Sequence, residues 1–151
     1  MTVVRPVRAG DAQTVAALCN QLGYPTTPDF VSSGLSELMP DPDHVVLVAC
    51  REGTDQVVGF IHGYRRRTLL RAPHVEIAAL VVAEGYRGRG AGAQLLGAVE
   101  QWSAHRGLAE IMLRANVKRL EAHRFYERQG MVIEKRSTVF TKRVDATGTG
   151  A

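Results

Sequence analysis

The sequence predicts a mixed-sheet α/β fold of the α+β kind, with elements in the order β-α-α-β-β-β-α-β-α-β(-β). Three observations predict it. Apolar runs of strand length recur along the chain, and segments with apolar residues three and four apart recur between them. The two kinds do not alternate regularly, which argues against a doubly wound parallel sheet. The third observation is local: the apolar segment 75–82 runs through Tyr86-Arg87-Gly88-Arg89-Gly90-Ala91-Gly92 into helical spacing.

Each element has its own signal. Residues 3–7 read as a first strand. Gly10-Asp11 starts a helix with Asp11 as its N-cap, Val15, Leu18 and Leu22 as its apolar stripe and Gly23 as its stop. Thr27-Pro28-Asp29 supplies a capping hydroxyl, a proline at the first helical position and an early acid, so a second helix runs to about Met39. Residues 44–51 and 57–64 form a hairpin around Glu52-Gly53-Thr54-Asp55. Arg65, Arg66 and Arg67 then read as an exposed hairpin end, or as contacts for an anion. Residues 75–82 form a long buried strand.

Residues 91–106 are helical, with Leu95, Leu96, Val99 and Trp102 at core spacing and Gly107 at the end. A strand follows at 110–114 and a helix at 117–129, closed by Gly130. Residues 131–143 supply one or two final strands. Residues 1–144 are expected to form one domain and residues 145–151 a flexible tail.

Composition narrows the class. A hydrophobic fraction of 45% and a charged fraction of 23% are ordinary for a globular chain. No apolar run reaches membrane-spanning length, and the N-terminus lacks a long apolar signal region. Cys19 and Cys50 stand outside any ligand-like cluster, so neither a disulfide framework nor a metal site is expected, and a cytoplasmic setting fits. Residues 9–50 carry five acids (Asp11, Asp29, Glu37, Asp41, Asp43) and no Lys or Arg. The chain is +4 in total, so the remainder carries +9. Such asymmetry suits an anionic ligand on the basic part and a cationic one on the acidic part, or simply two solvated faces. Arginine clusters raise nucleic-acid binding, but no exposed aromatics are interleaved with them.

The glycine run is the main chemical signal. Glycine turns tightly and lets an anion approach the backbone. The first amides of a helix have no internal acceptors, and the helix dipole favours negative charge there. The run lacks the lysine-hydroxyl ending of a P-loop and the context of a dinucleotide fingerprint. A purely structural turn is the competing reading.

A second run lies some thirty residues on: His123-Arg124-Phe125-Tyr126-Glu127-Arg128-Gln129-Gly130-Met131. Together, R-x-x-G-x-G after a strand and F-Y-E-R-x-G-hydrophobic resemble the GNAT superfamily of acetyl-CoA-dependent N-acetyltransferases. The strand E-I-A-A-L-V-V and the run A-H-x-F-Y-E look most like small bacterial members similar to aminoglycoside 6'-N-acetyltransferases.

The resemblance implies that Arg87, Gly88, Arg89, Gly90, Ala91 and Gly92 hold the pyrophosphate of coenzyme A. It implies that the backbone of Leu80, Val81 and Val82 pairs with the pantetheine arm. Asn116 would touch that arm, and Tyr126 would stand near the sulfur to protonate the leaving thiolate. A phenol so placed is a suitable acid, although an aromatic beside Phe125 can also be mere packing.

Glu76 interrupts an apolar strand, where an unpaired carboxylate is costly. It is the candidate base, acting directly or through water, and a structural ion pair is the alternative. His74 and His62 are reserve candidates. Strict alternation would put Glu76, Ala78, Leu80 and Val82 on one face.

The implied reaction is acetyl transfer from acetyl-CoA to a primary amine. The acidic segment points to a cationic small molecule, of aminosugar or polyamine type. A peptide or protein amine, or a non-catalytic acetyl-CoA sensor, stays open. So does homodimerisation through the final strands.

Overall fold

A computed structural model describes residues 1–146. The chain forms two compact units, the first comprising Met1–Arg114 and the second starting at Ala115. Each is described by itself. Residues 147–151, most of the expected tail, lie outside the described residues.

The first unit is built on five strands: β1 (Thr2–Pro6), β2 (His44–Arg51), β3 (Val57–Arg66), β4 (His74–Val82) and β5 (Ile111–Leu113). They lie in the sheet in chain order. β1 to β4 pair antiparallel, whereas β5 runs parallel to β4. The reversal follows from α3 (Ala91–His105), which carries the chain back before β5 begins.

Two further helices, α1 (Ala12–Leu22) and α2 (Pro28–Leu38), connect β1 to β2. Val15, Leu18 and Leu35 from these helices pack with Val48, Phe60 and Val81 of the sheet. Thr27 caps α2 as its sequence suggests, its hydroxyl accepting from the Phe30 amide at 3.2 Å. Leu95, Leu96 and Val99 of α3 are fully buried. A β-carbon at Gly59 would lie 2.9 Å from the Val81 carbonyl oxygen and 3.4 Å from Leu95. One at Gly63 would lie 3.3 Å from Val99, so both glycines of β3 keep that packing close.

Two expectations are corrected here. Asp11 occupies the N-cap position of α1, but its side chain makes no capping bond to the helix. Its carboxylate instead accepts from the Arg8 amide at 2.7 Å and pairs with Arg5 at 2.8 and 3.0 Å, because a nearby guanidinium is a stronger partner than a helix amide. Trp102 is half-buried rather than core, with the Arg106 guanidinium 4.5 Å from its ring centroid. It sits at the border of the α3 stripe, where a cation can cover its outer face.

The second unit contains α4 (Leu120–Arg128). Its end is closed by Gly130 at φ 86°, with the Met131 amide donating to the Tyr126 carbonyl at 3.0 Å. The final strands expected over residues 131–143 do not form among the described residues. Val132, Ile133, Val139 and Phe140 are exposed. An apolar pattern favours extended backbone, but a strand exists only where a neighbour completes its hydrogen-bond ladder. No helix among the described residues is long and apolar enough to cross a membrane.

Candidate active site

Two features of β4 organise the site. The first is a bulge. Opposite β3, His62 pairs with Ala79 and Gly63 with Ile77, so Ala78 is the extra residue. The bulge corrects the expected alternation: beyond it Ala79 and Val81, not Ala78 and Leu80, share the face of Glu76. Ala78 itself is exposed. The second feature is a parting of strands. β5 pairs with β4 only at Val75, Glu76 and Ile77. Beyond Ile77 the edge of β4 carrying Leu80, Val81 and Val82 has no neighbouring strand on that side among the described residues.

That open edge leads into the glycine run. Gly88 and Gly90 have φ of 76° and 87°, the left-handed region that disfavours other residues. A β-carbon at either would meet nothing within 4 Å, so the space around the turn is open. Arg87 ties the loop back to the strand end, its Nε donating to the Val82 carbonyl at 3.3 Å. Gln21 donates to the same oxygen at 3.0 Å. Arg89 lies against the Tyr86 ring, 5.4 Å from its centroid. The first helical bond of α3 runs from the Gln94 amide to the Gly90 carbonyl at 3.0 Å. The amides of Ala91 and Gly92 precede it and point out of the helix end. A diphosphate fits such a turn: amide donors, two flanking guanidiniums and no side chain in the way.

Glu76 lies in the paired part of β4, with its side chain 7% exposed. Three donors from three directions engage it. Arg66 donates to Oε2 at 3.0 Å, Tyr64 donates its hydroxyl to the same oxygen, and Arg114 pairs with Oε1. Of the three arginines read as an exposed hairpin end, Arg66 is therefore drawn into the site by its pairing with a buried carboxylate. Tyr64, Arg66 and Arg114 carry no motif. Only the cost of leaving Glu76 alone in an apolar strand hinted that partners existed.

Next to Tyr64 lie two histidines. His44 Nδ1 and His62 Nε2 are 2.9 Å apart, and the His44 ring stacks on Tyr64 at 5.3 Å with an interplanar angle of 15°. Burial, followed by the charge of His44, pushes the His62 imidazole down to about 4. His74 is buried, with Nδ1 3.0 Å from the Ala72 carbonyl and Nε2 without a partner.

The remaining expected residues belong to the second unit. Asn116 turns the chain before α4, its side-chain oxygen accepting from the Lys118 amide at 2.9 Å and its carbonyl from His123 Nε2 at 2.9 Å. Tyr126 is half-buried, edge-on to Phe125 at 5.2 Å. Burial pushes its phenol above the ordinary value of 10, with Arg119 pulling the other way.

Residues 14–131 match the acetyltransferase (GNAT) family. The chain belongs to the GNAT family. Among its GNAT relatives is the aminoalkylphosphonate N-acetyltransferase of Salmonella typhimurium, 34% identical over 133 residues, covering 84% of this chain and 82% of the relative. An uncharacterised N-acetyltransferase of Mycobacterium tuberculosis is 30% identical over 141 residues, covering 88% and 85%. The fold is shared with AAC(6')-Iy in complex with a CoA-S-monomethyl-acetylneamine bisubstrate analogue, at a TM-score of 0.83 and 19% identity, covering 95% and 99%. This GNAT chain is thus an acyl-CoA N-acetyltransferase, with the mixed five-stranded sheet of its family.

Proposed function

We propose that this GNAT enzyme moves an acetyl group from acetyl-CoA to the primary amine of a small molecule. The observation that carries the reading is the open edge of β4 beyond Ile77, continuous with the glycine turn at the head of α3. In this reading the run Arg87 to Gly92 holds the diphosphate, the backbone of Leu80, Val81 and Val82 aligns the pantetheine arm, and Asn116 supports it. Tyr126 is the acid that protonates the leaving thiolate. A phenol kept neutral by burial suits that task. Glu76 is the sequence candidate for the base. Taking a proton would neutralise the charge that holds both guanidiniums, so its paired state favours a role as anchor for Tyr64 and the two arginines.

For the acceptor, a cationic amine of aminosugar or polyamine type is supported by Asp29, Glu37, Asp41 and Asp43, which cluster on α2 and the link to β2. A second reading has its own support. Arg66 and Arg114 share a single carboxylate, which leaves an excess of positive charge at that spot. An amine that also carries a phosphonate would suit it, and the Salmonella relative is named for such substrates.

Thiol release from acetyl-CoA over a panel of neamine, spermidine, 2-aminoethylphosphonate, glucosamine 6-phosphate and a short lysine peptide tests both readings. Turnover of neamine or spermidine, with KM raised by neutralising the four acids, supports the cationic acceptor. Preference for the phosphonate supports the second reading. Turnover of the peptide alone overturns the small-molecule assignment, and acetyl-CoA binding without any turnover overturns the enzymatic one.

A further inference from the structure

We infer that the His44–His62 imidazole pair takes up the proton that the acceptor amine loses during acetyl transfer, with His62 receiving it and His44 carrying it away. The inference rests on the acetyltransferase reading and supplies a base in place of Glu76, whose charge is held by two guanidiniums.

His62 stands opposite Ala79, directly after the bulged and exposed Ala78, at the point where β4 loses its β5 neighbour. Among the side chains of β3 it is therefore aligned with the mouth of the open edge. Its Nε2 is bound to His44, while its Nδ1 has no hydrogen-bond partner among the described residues.

The pair also has a direction. A contact of 2.9 Å between two ring nitrogens needs one donor and one acceptor, so the pair cannot hold two extra protons. His44 Nε2 lies 3.9 Å from Asp41 Oδ2, whereas among the described residues no carboxylate lies within ion-pair distance of His62. An imidazolium is thus better placed on His44. The downward push on the His62 imidazole agrees with that order. The surroundings contribute Tyr64, Arg66 and Glu76 from β3 and β4 and Asp41 from the loop before β2. Val46 and Ala79 pack against the same apolar cluster as Cys19 of α1 and Val31 and Leu35 of α2, none of them charged.

The step balances. The amine nitrogen bonds to the acetyl carbon and the carbon–sulfur bond breaks. The nitrogen's proton passes to His62 Nδ1, the proton on His62 Nε2 passes to His44 Nδ1, and the cation on His44 faces Asp41 before release to solvent. The departing thiolate is protonated separately.

The test uses the intact chain, saturating acetyl-CoA and the fastest amine of the panel. His62→Gln is expected to lower kcat by about 10²-fold with acetyl-CoA affinity unchanged, as loss of a general base does. His62→Ala should regain rate when free imidazole is added. Asp41→Asn, a change at the surface end of the relay, removes the carboxylate that favours the His44 cation and should shift the acid limb of the kcat profile to lower pH; a shift to higher pH counts against the relay. An unchanged kcat and pH profile in His62→Gln overturns the inference, and so does a His62→Ala loss that imidazole leaves untouched while the variant still binds acetyl-CoA. A wild-type chain inactive on every amine is a different failure, that of the enzymatic reading itself.

Discussion

Arg114 pairs with Glu76 just beyond the point where β5 stops running beside β4. The ion pair thereby fastens the base of the opening between the two strands. On the other side Tyr64 and Arg66 hold the same carboxylate to β3. One buried acid thus joins three strands at the closed end of the site.

Glu76→Gln is expected to destabilise the fold as well as slow the reaction. Removing the carboxylate leaves two guanidiniums facing a neutral amide, and breaking a buried pair costs about 3–5 kcal/mol. Both arginines are partly exposed, at 34% and 53%, and water recovers part of that, so a loss of roughly 1–3 kcal/mol is expected. Urea denaturation measures it. A variant as stable as the parent would show that the cluster contributes nothing to holding the strands.

The glycine turn separates backbone strain from packing. Gly90→Ala forces a β-carbon into the left-handed region, at a cost of roughly 1–2 kcal/mol, and should raise KM for acetyl-CoA. Gly97 lies mid-helix in α3, with nothing within 4 Å of a built β-carbon. Gly97→Ala should therefore stabilise by about 0.5–1 kcal/mol and leave that KM alone. Thermal unfolding should shift in opposite directions in the two variants, and KM for acetyl-CoA should rise in Gly90→Ala alone; a KM that Gly90→Ala leaves unchanged would show that the turn does not hold the cofactor.

Tyr126→Phe should lower kcat by about 10²-fold while calorimetric affinity for acetyl-CoA is kept. Because burial raises the phenol, it stays protonated through neutral pH, and the acid function is lost only as pH climbs through that raised value. The alkaline fall in wild-type kcat should consequently be missing from the variant. Identical profiles would assign Tyr126 to packing.

Asp11 makes a pH-dependent contribution to stability. Its hydrogen bonds to Arg5 hold its carboxyl below the ordinary 3.8, more than burial raises it. A depressed folded-state value means the stabilisation is full above 3.8 and fades as pH falls through the folded value. Asp11→Asn should cost roughly 3 kcal/mol near neutrality, since the pair is largely buried. The gap between wild type and variant in urea titrations should be flat from neutral pH to about 5 and close below that. A gap that persists at pH 2 would point to packing rather than charge.

Much of this was written in local sequence. The hydroxyl, proline and acid at Thr27-Pro28-Asp29 announced α2, Gly23 and Gly130 announced two helix ends, and β2 was legible to the residue from its valines. These signals are local because caps and turns are made by neighbours in the chain. The glycine run was legible for the same reason: one short stretch supplies both the turn and the helix end. The final strands were misread because partnership is not a local property.

The sequence by itself determined the family, the glycine turn at the head of α3 and the oddity of a carboxylate in β4. Only the tertiary structure decided what that carboxylate touches. Tyr64, Arg66 and Arg114 come from β3 and from the end of β5, and His44 meets His62 across eighteen residues of chain. A one-residue bulge at Ala78 then sets which side chains of β4 share a face beyond it. Such groupings depend on strand register, and register is fixed by the packing of the whole sheet against its helices rather than by any segment's own pattern.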